Sequence, residues 1–66
     1  MELEKRYFNI HEVAAYLGVS RFTVYRLIDR RKIPFIPLTS KSYRFDRLRI
    51  DKWMERKEVK VPPEAA

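Results

Sequence analysis

The sequence predicts a small, mainly α fold with one β-hairpin wing, in the order α-α-β-β-α. Three segments begin with a helix-capping pattern, apolar residues recur at helical spacing after each cap, and an extended, proline-containing segment separates the second helix from the third. The 66 residues suffice for a single small core. Hydrophobic residues make up 45% of the chain, enough apolar surface to offset the entropy lost on folding.

Each predicted helix begins at a residue that can cap it, with apolar residues one position before the cap and four positions after it. Asn9 caps the first helix, and Glu12 is placed to complete a capping box with it. Ser20 caps the second helix. Asp46 caps the third, which should span about residues 47–57.

Apolar residues at helical spacing define the inner face of each helix. The predicted inward residues are Ile10, Val13, Ala14 and Leu17 in the first helix, Val24, Leu27 and Ile28 in the second, and Ile50, Trp53 and Met54 in the third. At 100° per residue, the outer face of the second helix then centres on Phe22, Arg26 and Asp29, flanked by Tyr25 and Arg30. This outer face is basic and aromatic.

The segment between the second and third helices favours a β-hairpin with its turn at residues 39–42. One apolar face is expected from alternating residues on the two strands, namely Ile36 and Leu38 with Tyr43 and Phe45. Arg44 and Lys41 should then point outward. Because Pro34 and Pro37 cannot donate backbone hydrogen bonds, the first strand should be a short edge strand.

Positive charge is concentrated in the middle of the chain. The net charge is +6, and nine basic residues against two acidic ones give residues 20–49 a charge of +7, so the remainder sums to −1. A basic surface of this kind is typical of proteins that bind polyanions. The alternative is a solvated face that keeps a small domain soluble.

The residue inventory argues against enzymes and metalloproteins. With one histidine, one glycine and no cysteine, the chain offers neither a glycine-rich phosphate loop, nor a disulfide, nor the usual ligand set of a zinc site. We therefore expect no catalysis, no cofactor and no metal. Because no segment resembles a signal peptide or a membrane span, we expect a cytoplasmic protein without a membrane partner.

The first two helices match a helix-turn-helix pattern, in which a tight turn at Gly18 precedes a helix with a basic outer face. Ala14 is small enough for the helices to cross closely, and Val24 supplies an apolar wedge between them. With the hairpin and third helix, this predicts a winged helix-turn-helix whose second helix enters the major groove of DNA. Arg26 could instead pair with Asp29, but its central outer position favours base reading.

Four segments resemble a known family: FNIHEVAAYLGVSRFTVYRLI at residues 8–28, KIP at 32–34, YRF at 43–45 and IDKWM at 50–54. Together they resemble the excisionase-type helix-turn-helix family, which is related to the winged domains of mercury-resistance-type regulators. The resemblance covers roughly residues 7–56 and implies DNA binding without catalysis. By position, it implies recognition-helix contacts from Ser20, Arg21, Thr23, Tyr25 and Arg26, and wing contacts from Lys41 and Arg44.

The chain departs from the family pattern in the wing and in the second helix. Pro37 stands where the family usually has a basic residue, and the turn at residues 39–42 lacks the usual glycine. Phe22 occupies a position that is typically small or polar.

We therefore predict a winged helix-turn-helix domain at residues 7–58 and a flexible tail at residues 59–66. The domain should bind double-stranded DNA with sequence preference, as an excisionase-like architectural factor or a small transcription regulator. The predicted contact residues are Ser20, Arg21, Phe22, Thr23, Tyr25, Arg26, Arg30, Lys41 and Arg44. Since one such unit reads only a few base pairs, a site-specific recombinase or further copies on adjacent sites are expected partners. The alternative is a protein-interaction module that binds an acidic partner.

Overall fold

The computed structural model describes residues 5–61. Its elements are β1 (Tyr7–Phe8), α1 (Ile10–Leu17), α2 (Arg21–Asp29), β2 (Ile36–Pro37), β3 (Tyr43–Asp46) and α3 (Arg47–Lys57). The predicted order α-α-β-β-α is confirmed and is preceded by β1, which the sequence analysis missed. The helices pack with an antiparallel sheet of order β1-β3-β2 in a small winged helix-turn-helix. Of the predicted tail, residues 59–61 follow α3 without regular structure, and residues 62–66 lie outside the described residues.

The three predicted helix starts are confirmed by their hydrogen bonds. The Asn9 side chain accepts a bond from the Glu12 N–H at 2.8 Å, and the Glu12 carboxylate accepts one from the Asn9 N–H at 2.8 Å, which completes the capping box. Ser20 and Asp46 each accept a bond from a backbone N–H in the first turn of α2 and α3. These bonds satisfy amide groups that a helix start otherwise leaves without partners.

The turn between α1 and α2 depends on Gly18, whose φ of 73° and ψ of 32° lie in the left-handed region. The Val19 N–H donates to the carbonyl of Ala14 at 3.0 Å, closing the end of α1. Ser20 follows immediately as the cap of α2. The short connection fixes the crossing of α1 and α2, as a helix-turn-helix requires.

The buried core confirms most of the inward residues predicted from periodicity. Its members are Phe8, Val13, Ala14, Val24, Ile28, Ile33, Phe45 and Ile50, with Ile10, Leu17, Leu27, Phe35, Tyr43 and Trp53 packed at the margin. The inward placement of Met54 is wrong, because its side chain is 44% exposed. Ile50 lies in the core and Trp53 packs at its margin, so the inward side of α3 ends one residue before Met54.

The strand register overturns the predicted apolar face of the hairpin. Ile36 pairs with Arg44, and Pro37 pairs with Tyr43. Paired residues of antiparallel strands lie on the same face, so Ile36 and Leu38 lie on the side of Arg44 and not beside Tyr43 and Phe45. Consistent with this register, Ile36 is 41% exposed and Leu38 is 56% exposed. The outward direction of Arg44 is confirmed.

Pro37 accounts for this register. The Leu38 N–H donates to the Ser42 carbonyl at 2.8 Å and therefore points toward β3. Because backbone N–H directions alternate along a strand, the Pro37 nitrogen lies where no ladder bond is needed. The prediction of a short edge strand is confirmed, since β2 has two residues at the edge of the sheet.

β1 is held against the rest of the fold through Asp46. The pairing of β1 with β3 places Tyr7 opposite Asp46 and Phe8 opposite Phe45. The Arg6 guanidinium donates to both carboxylate oxygens of Asp46, at 3.3 and 3.2 Å. This hydrogen-bonded ion pair holds the pKa of Asp46 below its ordinary value. Asp46 therefore joins β1 and β3 to the start of α3.

Gly18→Ala should lower the free energy of unfolding by about 1 kcal/mol, because an L-residue is strained at positive φ. An added Cβ would meet nothing within 4 Å, so the loss reflects backbone conformation and not a clash. Gly18→Asn should lose less, since asparagine tolerates this region better. Urea denaturation of the three proteins measures the effect, and equal stabilities for glycine and alanine would contradict it.

Asp46→Asn should weaken the dependence of stability on acid pH. The folded pKa of Asp46 is lowered, so its stabilising effect is full above the ordinary carboxyl pKa and is lost as the pH falls through the folded value. Asparagine can still cap α3 but cannot form the ion pair with Arg6. Unfolding at a series of pH values from about 6 to about 2 tests this.

Asp46→Ala is the matched variant, because it removes the cap as well as the ion pair. It should be less stable than Asp46→Asn at neutral pH. An acid transition of the same steepness in the wild type and in Asp46→Asn would show that Arg6 and Asp46 contribute nothing to the acid sensitivity.

Candidate nucleic-acid interface

The N-terminus of α2 is an exposed cap with free helix amides. Ser20 Oγ accepts the Thr23 N–H at 3.2 Å, and the two hydroxyl oxygens lie 3.3 Å apart. The first amides of a helix have no partner within the helix, and they attract anions together with the helix dipole. Capping and phosphate binding are therefore compatible roles for this end of α2.

The outer face of α2 has the orientation predicted from helical geometry. Val24 and Ile28 are buried in the core, whereas Phe22, Tyr25 and Arg26 are exposed. The other outward residues, Arg21, Asp29 and Arg30, are exposed as well. The helix therefore buries one side and presents a basic and aromatic side to solvent.

Arg26 does not form the ion pair that would explain it as a structural surface charge. Within residues 5–61, the ion pairs join Lys5 to Glu12, Arg6 to Asp46 and Arg47 to Asp51. None of them includes Arg26 or Asp29. The guanidinium of Arg26 thus keeps its hydrogen-bond donors available for a ligand.

Arg21 and Phe22 form a pair at the exposed start of α2. The guanidinium carbon of Arg21 lies over the Phe22 ring, 4.8 Å from its centroid. This is within the range of a cation–π contact. Phe22 is nevertheless 62% exposed, so the contact covers only part of its ring.

The wing places its two predicted contact residues in different settings. Lys41 is exposed in the turn, where its N–H donates to the Thr39 hydroxyl at 3.2 Å. Arg44 is half-buried, and its guanidinium donates to the Tyr43 carbonyl at 2.8 Å. Arg44 lines a shallow groove on the outer sheet face together with Tyr7, Ile36 and Leu38.

The structure brings the wing turn, but not Arg44, toward the C-terminal end of α2. One groove is lined by Asp29 and Arg31 from the end of the helix, by Thr39 from the turn and by Tyr43 from β3. Neighbouring residues of a strand point to opposite faces, so Arg44 points away from this groove.

A second basic surface lies on α3 and was missed by the sequence analysis. Arg49, Lys52 and Arg56 are exposed at helical spacing and line a groove floored by Pro34 and Trp53. Summing charges along the chain hid this surface, because the acidic Asp51 and Glu55 of the same helix lie away from it at helical spacing. The signal available in the sequence was the spacing of three and four residues between these basic side chains, which places them on one side of a helix. We name Arg49, Lys52 and Arg56 the α3 basic face.

The described residues contain neither a candidate metal site nor a candidate membrane span. No three histidine, cysteine or carboxylate side chains cluster in a way that could hold a metal ion within residues 5–61. In the same part of the chain, no helix is long and apolar enough to cross a membrane.

A tight glycine turn followed by a helix with an exposed basic face defines the class of DNA-binding helix-turn-helix domains. A family model described as a helix-turn-helix domain matches residues 7–58. The chain belongs to this excisionase-type helix-turn-helix family, which confirms the resemblance found in the sequence. Searches of curated proteins and of solved structures find no significant match.

Proposed function

We propose that this protein binds double-stranded DNA with sequence preference, with α2 in the major groove and the wing on the backbone or in the minor groove. The observation that carries the proposal is the division of α2 into a buried apolar side and an exposed basic side. Val24 and Ile28 hold the helix in the core, while Arg26 is exposed without an ion pair in the described part of the chain. An exposed recognition helix fixed by its inner face suits base reading.

Four of the proposed contact residues take distinct roles. Ser20 and the first amides of α2 bind a phosphate, and Arg26 reads a base edge. Lys41 binds a phosphate from the wing turn, and Arg44 binds in a narrow, A·T-rich minor groove. The proposed set of DNA contacts is Ser20, Arg21, Phe22, Thr23, Tyr25, Arg26, Arg30, Lys41 and Arg44.

The biological role that suits such a small unit is an excisionase-like architectural factor or a small transcription regulator in the cytoplasm. We assign the binding activity to residues 7–58 and treat residues 59–66 as a tail. A single recognition helix supplies too few base contacts for genomic specificity, so further copies on adjacent sites or a site-specific recombinase complete the assembly. No reaction is catalysed in this proposal, and no cofactor is required.

The α3 basic face favours a second candidate function, that of a module that binds an acidic protein segment. Its three cations border the groove floored by Pro34 and Trp53, and none of them forms an ion pair within residues 5–61. Cations beside an apolar floor would suit a partner that carries both carboxylates and apolar side chains. Binding of duplex DNA distinguishes this function from the first.

Duplex binding should weaken steeply with salt. With about 4 to 6 phosphates neutralised, the plot of log K against log salt should have a slope of about −4 to −5. Fluorescence anisotropy of a labelled duplex at several salt concentrations measures this slope. A slope near zero, or no binding, would refute DNA binding and leave the acidic-partner module as the function to test.

Arg26→Ala should cost about 1 to 3 kcal/mol of binding free energy and relax the preference at one or two base pairs. Arg26→Lys keeps the charge but cannot form bidentate hydrogen bonds to a base, so it should also relax the sequence preference. Lys41→Ala is the matched variant for a phosphate contact and should lower the affinity for all DNA sequences equally.

Selection of preferred duplexes from a random pool, repeated for each variant, compares these residues directly. If Arg26→Ala and Lys41→Ala lose affinity equally for every sequence, α2 does not read bases through Arg26.

A further inference from the structure

Phe22 is exposed to an extent that the fold itself does not explain. It is 62% exposed, more than any other large apolar side chain within the described helices and strands. It lies in the first turn of α2, on the side opposite Val24 and Ile28. The ring therefore contributes little to the core and adds apolar surface to the face that we propose for DNA.

The surroundings of Phe22 hold its ring without covering it. The aromatic pairs in the described part of the chain join Phe8 to Tyr16 and Phe35 to Tyr43, so Phe22 stacks on no other ring there. Its described partner is the Arg21 guanidinium, 4.8 Å from the ring centroid. A guanidinium on one face leaves the ring edge and the other face open to a ligand.

The chemistry of the major groove offers one apolar target to such a ring. Base edges there present hydrogen-bond donors and acceptors, and the C5-methyl group of thymine is the apolar group among them. Cytosine lacks this methyl, whereas 5-methylcytosine carries it at the same ring position. Residues in the first turn of a recognition helix are the ones that contact base edges.

We propose that Phe22 reads a pyrimidine C5-methyl group, that of a thymine in the preferred site. This inference rests on the proposed function, because it requires α2 to enter the major groove. Arg21 acts as a positioning residue that restrains the ring. The departure at Phe22 from the small or polar residue usual in the family thus gives this protein a sequence preference of its own.

Substitution of deoxyuridine for thymidine, one position at a time in the preferred duplex, tests the contact. Uracil keeps every hydrogen-bonding group of thymine and removes only the methyl. At one position the change should weaken wild-type binding about three- to fivefold, as expected for the loss of one buried methyl group. In Phe22→Ala the same change should have no effect.

Val59→Ala is the control variant, because Val59 is exposed beyond α3 and lies outside the proposed interface. It should keep the full loss on uracil substitution. Circular dichroism confirms that Phe22→Ala is folded, which its exposed position leads us to expect.

Cytosine and 5-methylcytosine at the sensitive position, each paired with guanine, identify the source of the methyl. If the wild type binds the 5-methylcytosine duplex more tightly than the cytosine duplex, and Phe22→Ala does not, then Phe22 reads the methyl group on thymine and on 5-methylcytosine alike. Tighter binding of 5-methylcytosine than of thymine would overturn thymine as the natural target.

The outcomes separate this inference from the proposed function. The role of Phe22 is overturned if duplex binding is salt-dependent but unaffected by uracil at every position. It is also overturned if the effect of uracil persists in Phe22→Ala. Either result leaves DNA binding intact. Absence of duplex binding by the wild type overturns both.

Discussion

The rest of this fold depends on the hydrogen bonds that the Asp46 carboxylate accepts. Asp46 ends the central strand β3. Its carboxylate caps α3 through the Leu48 N–H and accepts two hydrogen bonds from Arg6, the residue before β1. The adjacent Phe45 is fully buried. A buried carboxylate must be paired or hydrogen-bonded to be tolerated. Here two of its bonds hold the segment at β1 and the third holds the start of α3. Sheet and third helix are thus joined by these polar contacts as well as by the burial of Phe45 and Ile50 in one core.

Local signals in the sequence identified most of the fold. Asn9, Ser20 and Asp46 were predicted as caps because capping is an interaction between residues two or three positions apart, which a single sequence contains in full. Gly18 was identifiable for the same reason, since its missing Cβ allows the positive φ that this turn requires. The outward side of α2 followed from helical geometry once the apolar positions were known. Which of these outward residues touch DNA stays a prediction.

The features that the sequence did not reveal depend on contacts between distant segments. β1 has two residues, too few for alternation to be recognised, and exists because β3 offers it a partner. The residues before and after Pro37 are apolar, so periodicity could not show which of them face the core. The missing N–H of Pro37 determined the strand register instead. Met54 has the right spacing for burial but lies beyond Trp53, the last residue of α3 that packs against the core. The α3 basic face was hidden because a linear sum of charges averages opposite sides of a helix.

The junction of β3 and α3 has no intervening loop, since β3 ends at Asp46 and α3 begins at Arg47. A junction with regular backbone on both sides has no flexible residues to absorb a rotation. The wing and the third helix should therefore rotate together as one rigid body. The 11 residues of α3 span roughly 16 Å, so a tilt of about 10° in the hairpin would sweep the last turn through about 3 Å. Docking of the wing on a groove would thereby reposition Arg56 in the last turn of α3, and a distance probe on that helix would report wing engagement.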